Sequence, residues 1–357
     1  MKNNYSRIFI YSEPNIKSIF QKIGLLCCFC FGISVFANAQ DIQYSQFYAN
    51  VLYLNPSFAG SAHGLRGIGH QRLQWPGLDA KYITSSISID NYFKKTRSGL
   101  GLMLSKDWQG SDVISSTEAS LLLSQEVPIS ANHFLRAGAQ ATYASRYINY
   151  STRTFPDQFN DNGWMNIDSD EPFGGNKVNY LDFSIGGMFY SEKYWLGVSA
   201  SHITQPEQSF YGGGSKLPMK MSFIAGYKIT LLNNNALSKI SSDNEIYITP
   251  TAHYKFQGKS DQLDLGVYGL YYHLIVGAWY RGIPLLKQYR SNIQNNESMV
   301  VLAGWKINNF RVSYSYDFTI SKLAKARTGG SHELNVTYVL EYQRKKKIMK
   351  RLPCPDF

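Results

Sequence analysis

Cysteine is almost missing from this 357-residue chain. Three of its four cysteines, Cys27, Cys28 and Cys30, crowd near the start, and the fourth is Cys354. A chain that sheds its start keeps no pair for an internal disulfide, so hydrogen bonding and packing must stabilise it. Cys354 reads either as an unpaired tail thiol or as half of a bond to a partner. Long apolar runs are missing too. Beyond the first forty residues no segment carries the ~20 consecutive apolar residues that a membrane helix needs. Charge is uneven rather than abundant. Of the net +11, residues 1–39 carry +3, residues 40–342 carry +3 and residues 343–357 carry +5. So balanced a body excludes a nucleic-acid-binding domain.

Signatures of chemistry are equally scarce. The histidines are His63, His70, His133, His202, His253, His273 and His332. None forms an i,i+4 pair with a glutamate or the H-x-H pair of a strand metal site, so no metal and no cofactor are implied. Gly212-Gly213-Gly214 lacks the lysine and the strand–helix context of a phosphate loop. No serine sits in a nucleophile elbow. The chain therefore reads as non-enzymatic. A hydrolase would need a serine and a histidine at hydrogen-bond distance on one strand face.

What is present begins with an export signal. Lys2, Arg7, Lys17 and Lys22 precede an apolar core, Ile23 to Phe36, and Ala37-Asn38-Ala39 makes a small-x-small cleavage site. Residues 1–39 are thus a signal peptide that leaves Gln40 as the mature N-terminus. Leu26 before Cys27 does not suit a lipoprotein, which needs a small residue there.

The rest is strand. Phe310, Val312, Tyr314, Tyr316, Phe318 and Ile320 alternate with Arg311, Ser313, Ser315, Asp317 and Thr319. Ile246, Ile248, Ala252, Tyr254 and Phe256 form a second apolar row, and Leu334, Val336, Tyr338, Leu340 and Tyr342 a third. Period-2 alternation puts successive side chains on opposite faces. About fourteen strands follow from it: 64–75, 80–93, 98–106, 112–126, 133–149, 179–190, 193–204, 217–231, 245–257, 261–272, 273–281, 297–307, 309–320 and 331–342. Pro250 cannot donate to a ladder, so a bulge or gap is expected there.

Soluble sandwiches also alternate, but their strands average ~5–6 residues, well short of these. Aromatics near strand ends (Tyr92, Trp108, Tyr147, Tyr194, Trp195, Tyr271, Tyr272, Trp279, Tyr280) suit interfacial girdles. The fold class expected is all-β, a transmembrane antiparallel β-barrel over residues 61–342. Both termini then face the periplasm, and the long connections 150–178, 205–216, 282–296 and 321–330 face outward. Ser191-Glu192 and Asn308-Asn309 are short, as the opposite side requires; residues 232–244 are a long exception there, and 258–260 a short one outside. Residues 40–60 form a periplasmic N-terminal segment, packed at the barrel mouth or inside it as a plug. Residues 343–357 form a basic periplasmic tail.

Particular motifs go further. Gln40-Asp41-Ile42-Gln43-Tyr44-Ser45-Gln46-Phe47 and Leu52-Tyr53-Leu54-Asn55-Pro56-Ser57-Phe58-Ala59-Gly60 resemble the mature start of PorP/SprF-family proteins. The resemblance continues in Arg72-Leu73-Gln74-Trp75-Pro76-Gly77-Leu78, His202-Ile203-Thr204-Gln205-Pro206 and Gly329-Gly330-Ser331-His332-Glu333-Leu334, and in the ending Cys354-Pro355-Asp356-Phe357. It implies an outer-membrane barrel of Bacteroidota that assists type IX secretion, or surface attachment of large cargo such as gliding adhesins. The implied partners are the periplasmic ring and a peptidoglycan-binding lipoprotein of the secretion machine, or cargo bearing a type-B C-terminal domain.

The candidate partner-binding residues are Tyr53, Asn55, Pro56 and Trp75, together with Arg344, Lys345, Lys346, Lys347, Lys350, Arg351, Cys354 and Phe357. Asn55-Pro56 also reads simply as a rigid turn. Trp75 also reads as a girdle residue. The basic run can grip anionic lipid heads, an acidic partner or peptidoglycan carboxylates, or merely end the last strand in solvent. The competing function is an outer-membrane channel or transporter for small or apolar molecules, with the N-terminal segment as its plug.

Overall fold

The computed structural model describes residues 41–340 except 112, 151–152, 162, 166, 171–173, 234–244, 291–292, 322–323 and 325. The expected signal peptide, the expected basic tail and most of connection 232–244 lie outside these residues.

Fourteen antiparallel strands close into a barrel. They are β1 (Leu65–Gln74), β2 (Tyr82–Phe93), β3 (Ser98–Gln109), β4 (Ile114–Pro128), β5 (Phe134–Ile148), β6 (Lys177–Tyr190) and β7 (Tyr194–Ser201). β8 comes in two pieces, Lys220–Tyr227 and Ile229–Asn233. The others are β9 (Glu245–Gln257), β10 (Ser260–Tyr271), β11 (Leu274–Arg290), β12 (Ile293–Ile307), β13 (Phe310–Thr319) and β14 (Ser331–Leu340). β1 pairs with β14, from Leu65 opposite Leu340 to Gln74 opposite Ser331, and this closes the ring.

Alternation settles which face is which. Ile87 is 63% exposed and Leu102 53%, whereas Ser315 and Thr337 on the other rows are 0% exposed. The apolar rows face outward and the polar rows inward, the reverse of a soluble core. Such an exterior is stable where acyl chains are the solvent.

Two local expectations change, and the gap expected at Pro250 is found on one side. Connection 282–296 is mostly ladder: Gly282 opposes Asn296 and Arg290 opposes Ile293, with register shifts between. Pro284 interrupts the alternation there, and bulges absorb the mismatch that hid these strands. Of the proposed girdle, Tyr147, Tyr271 and Tyr272 are exposed, but Tyr92, Trp195 and Trp279 are buried on inward rows. Strand ends hold both girdle and lumen-filling aromatics, and proximity to an end does not separate them. At Pro250 the ladder with β10 is unbroken, Pro250 opposing Val267. The gap lies on the β8 side, where pairing stops at Gly226–Thr251 and resumes at Ile229–Ile248. A proline nitrogen offers no donor to that side.

Leu121 lies midway along β4 on the outward row. Leu121→Arg is expected to destabilise the lipid-inserted barrel by about 2–4 kcal/mol, read by reversible unfolding from vesicles.

Candidate functional site

The lumen is filled by the chain's own start. Residues 44–52 and 55–61 are all buried, and they run through the barrel before β1 begins. Within them Val51–Leu54 forms one helical turn and Pro56–Phe58 a 3-10 turn. Asn55 caps the latter by accepting from the Ser57 backbone N–H at 2.9 Å.

The segment is tied at both ends. Asp41 contacts Lys220, where β8 starts (2.5 Å), Gln257, where β9 ends (3.1 Å), and His202, just past β7 (2.7 Å). His63 packs edge-on against Tyr92 near the end of β2, with ring centroids 4.4 Å apart. These contacts belong to opposite ends of the barrel. The chain enters at the end that carries the 202–219 connection and leaves at the end where β1 begins, so Asp41 lies at the mouth opposite Leu65 and Leu340 and not on the one side expected for both termini.

Between the ties, wall charges meet the segment's backbone. Glu333 on β14 accepts from the N–H of Ser45 (2.8 Å) and Gln46 (2.6 Å), from Arg72 (2.7 Å), and contacts His70 at 2.8 Å. Arg72 also reaches Asp317 at 3.2 Å. Arg281, wholly buried, donates to Asp264 (2.8 Å), to Ser45 Oγ (3.2 Å) and to the carbonyl of Tyr44 (3.2 Å). Towards the other end Arg136 donates to the Ala59 carbonyl at 2.8 Å and pairs with Glu126, and the Gly60 N–H donates to Asp90 at 2.7 Å. Buried charges survive only when paired and hydrogen-bonded. Here the N-terminal segment supplies part of that pairing.

Apolar contacts fill the remainder. Phe47 and Tyr48 pack with Tyr247, Tyr268 and Trp279. Val51, Leu52 and Phe58 pack with Met103, Leu122, Met188 and Trp195. Wall glycines admit the turn. A Cβ on Gly138 would fall 2.4 Å from the Ser57 nitrogen, and one on Gly99 2.0 Å from the Ala59 oxygen. Glycine within a strand marks such an approach of another backbone.

Tyr53, Asn55 and Pro56 therefore contact the barrel wall from within. Tyr53 donates to the Ile42 carbonyl at 2.6 Å, with Lys220 Nζ 4.8 Å from its ring centre. Asn55 donates to the Val198 carbonyl at 3.0 Å. Trp75 lies apart from them, half-buried in the β1–β2 turn at φ 55°, its N–H on the Gly330 carbonyl at 2.9 Å. Arg344, Lys345, Lys346, Lys347, Lys350, Arg351, Cys354 and Phe357 lie outside the described residues. The sequence reading missed the charge network. Its only signal was Arg, Asp and Glu at the inward positions of Ser- and Thr-rich rows.

Among the described residues two serine–histidine pairs meet the distance a hydrolase needs; Ser130 and His133 (2.8 Å) sit in the exposed β4–β5 turn, and the other pair lies on neighbouring strands. Ser222 on β8 lies 2.7 Å from His253 Nε2 on β9, and His253 Nδ1 lies 3.6 Å from Asp264. That second distance is too long for a hydrogen bond. Asp264 is instead engaged by Arg281, and Phe47 packs on the His253 ring at 4.9 Å. A base left unoriented and covered by the segment is no catalytic triad.

Residues 36–338 match the family described as type IX secretion system membrane protein PorP/SprF. The chain belongs to the PorP/SprF family. No curated protein matches it. Among solved structures, Acinetobacter baumannii Omp33 is 8% identical, covering 78% of this chain and 98% of its own, with a TM-score of 0.42. The Ralstonia pickettii toluene transporter TbuX is 8% identical, covering 82% and 93%, with a TM-score of 0.46. A mutant Rh. blastica porin is 11% identical, covering 77% and 99%, with a TM-score of 0.32. This PorP/SprF-family chain is an outer-membrane β-barrel.

Two outcomes follow for its filled lumen. Glu333→Ala leaves His70 without its carboxylate and Arg72 with that of Asp317 alone. It should cost about 3–5 kcal/mol and make residues 44–58 susceptible to chymotrypsin, read by unfolding and limited proteolysis. His202 lies beyond the strand end, between Asp41 and Asp182 (each 2.7 Å), with Lys220 opposing. Burial lowers its pKa, but Asp41 and the hydrogen bonds to both carboxylates prevail and raise it to about 9. Its stabilisation is then complete below about pH 6.5 and is lost as pH rises through about 9. The urea midpoint should fall over that range, and His202→Gln should flatten the fall.

Proposed function

We propose that this PorP/SprF-family barrel is a non-enzymatic partner in type IX protein secretion or surface attachment of cargo. It acts by binding secretion-machine components or cargo of the gliding-adhesin type. The observation that carries this reading is the filled lumen. Residues 44–61 occupy the interior with wall charges closed on them, so the surfaces remain for function.

In this reading residues 1–39 are removed on export, and β1 starts and β14 ends at the periplasmic face. The run Arg344 to Arg351 then emerges below the membrane. Each lysine or arginine near an anionic surface contributes about 1 kcal/mol, so six together bind appreciably. Their targets are the periplasmic ring, a peptidoglycan-binding lipoprotein or acidic lipid. Trp75 stands at the opposite face, where cargo with a type-B C-terminal domain would be met. Tyr53, Asn55 and Pro56 hold the segment in place.

Deleting residues 343–357 should leave a heat-modifiable, membrane-inserted barrel that no longer supports export of a type IX substrate. Normal export by that chain would remove the tail from the account. In planar bilayers the intact protein should not conduct; steady open-channel current would favour the channel or transporter reading instead.

A further inference from the structure

β6 pairs with β5 along its whole length, from Lys177 opposite Tyr147 to Tyr190 opposite Phe134. With β7 it pairs only from Ile185 to Tyr190. The cause is the motif His202-Ile203-Thr204-Gln205-Pro206. His202 and Gln205 adopt φ 59° and 45°, which L-residues rarely take, and Pro206 follows. Together they divert the chain as it leaves β7.

The diverted connection does not run on along β6. It folds back on itself, the Leu217 N–H donating to Pro206 (2.9 Å) and the Gln208 N–H to Ser215 (3.0 Å). The Gln208 side chain is buried, donating to Tyr180 Oη at 3.1 Å and accepting from Arg146. Among the described residues one backbone bond links this connection to the unpaired half of β6, from the Ile203 N–H to the Phe183 carbonyl at 3.0 Å.

That bond shows which way the edge faces. A strand residue sends its N–H and C=O to the same side, and alternate residues share that side. Leu181 and Asn179 therefore present both groups where Phe183 does, away from β5. On their outward row Leu181 is 60% and Phe183 46% exposed, and the polar Asn179 and Lys177 continue it towards the start of β6. Alternating donors and acceptors one strand long are complemented by another extended backbone, whereas acyl chains offer neither.

We propose that the β6 edge from Asn179 to Phe183 takes up an extended segment of a partner polypeptide as an added strand. The segment carries apolar residues at alternate positions to continue the outward row of Leu181 and Phe183. The inference rests on the partner-binding reading and names the surface and the kind of segment it fits. A second copy of this chain, or lipid alone, are the other occupants an experiment must separate.

The test uses the full-length chain in its native outer membrane, with a photo-crosslinking residue at position 181 or 179 and a lipid-facing control at 121. Sites 181 and 179 should yield adducts that map to one extended segment of another protein, and site 121 should yield lipid adducts only. Leu181→Pro removes the donor facing the open side without touching the β5 ladder. It should reduce adducts from site 179 at least tenfold with the folded barrel retained; Asn179→Pro with the probe at 181 serves if that variant does not fold. Adducts only to lipid or to a second copy, no adduct, or yields unchanged by either proline would overturn the proposal. If the edge fails while tail deletion still stops export, partner binding stands and the edge alone is lost; if both fail, both go.

Discussion

A barrel in a bilayer must satisfy every backbone polar group within itself, and its interior must be water or protein. Closure of β1 on β14 meets the first demand. The N-terminal segment meets the second. Fourteen strands enclose more volume than their inward side chains fill, so a wide barrel either conducts or takes in a piece of chain. Here the chain threads itself, and much of the interior follows from that.

The wall is shaped to its filling. Glycines stand where the 55–60 turn approaches closely, and aromatics stand where Phe47 and Tyr48 arrive. Arg72, Arg281, Asp317 and Glu333 would be unstable as a bare cluster in a closed interior. The backbone N–H groups of Ser45 and Gln46, the Ser45 hydroxyl and the Tyr44 carbonyl add to their hydrogen bonding. Segment and wall therefore stabilise each other. The same chain segment also packs on the ring of His253, beside Ser222.

Much of the fold was legible because a strand in lipid obeys a strict rule. Phe310 to Thr319 alternates without error, and β13 has the expected faces. The paired stretch of 282–296 was not legible, because Pro284 and the register shifts erase the alternation. Trp279 and Trp195 were misplaced for a related reason: an aromatic near a strand end suits the interface and a packed lumen equally well. Of the candidate site, Asn55-Pro56 was legible as a turn. Its position inside the barrel was one of two the sequence allowed, mouth or interior, and the residues that fix it there, Val198 and Gly138, are far away in the sequence.

The sequence by itself determined most of the strands, their outward faces and the barrel class, because each depends on residues two apart along one chain. Only the tertiary structure decided that residues 41–63 thread the lumen, which charges meet, and where the wall loses its pairing beside β6. Those outcomes depend on strands brought together by closure, and no local pattern records which distant residue will stand opposite.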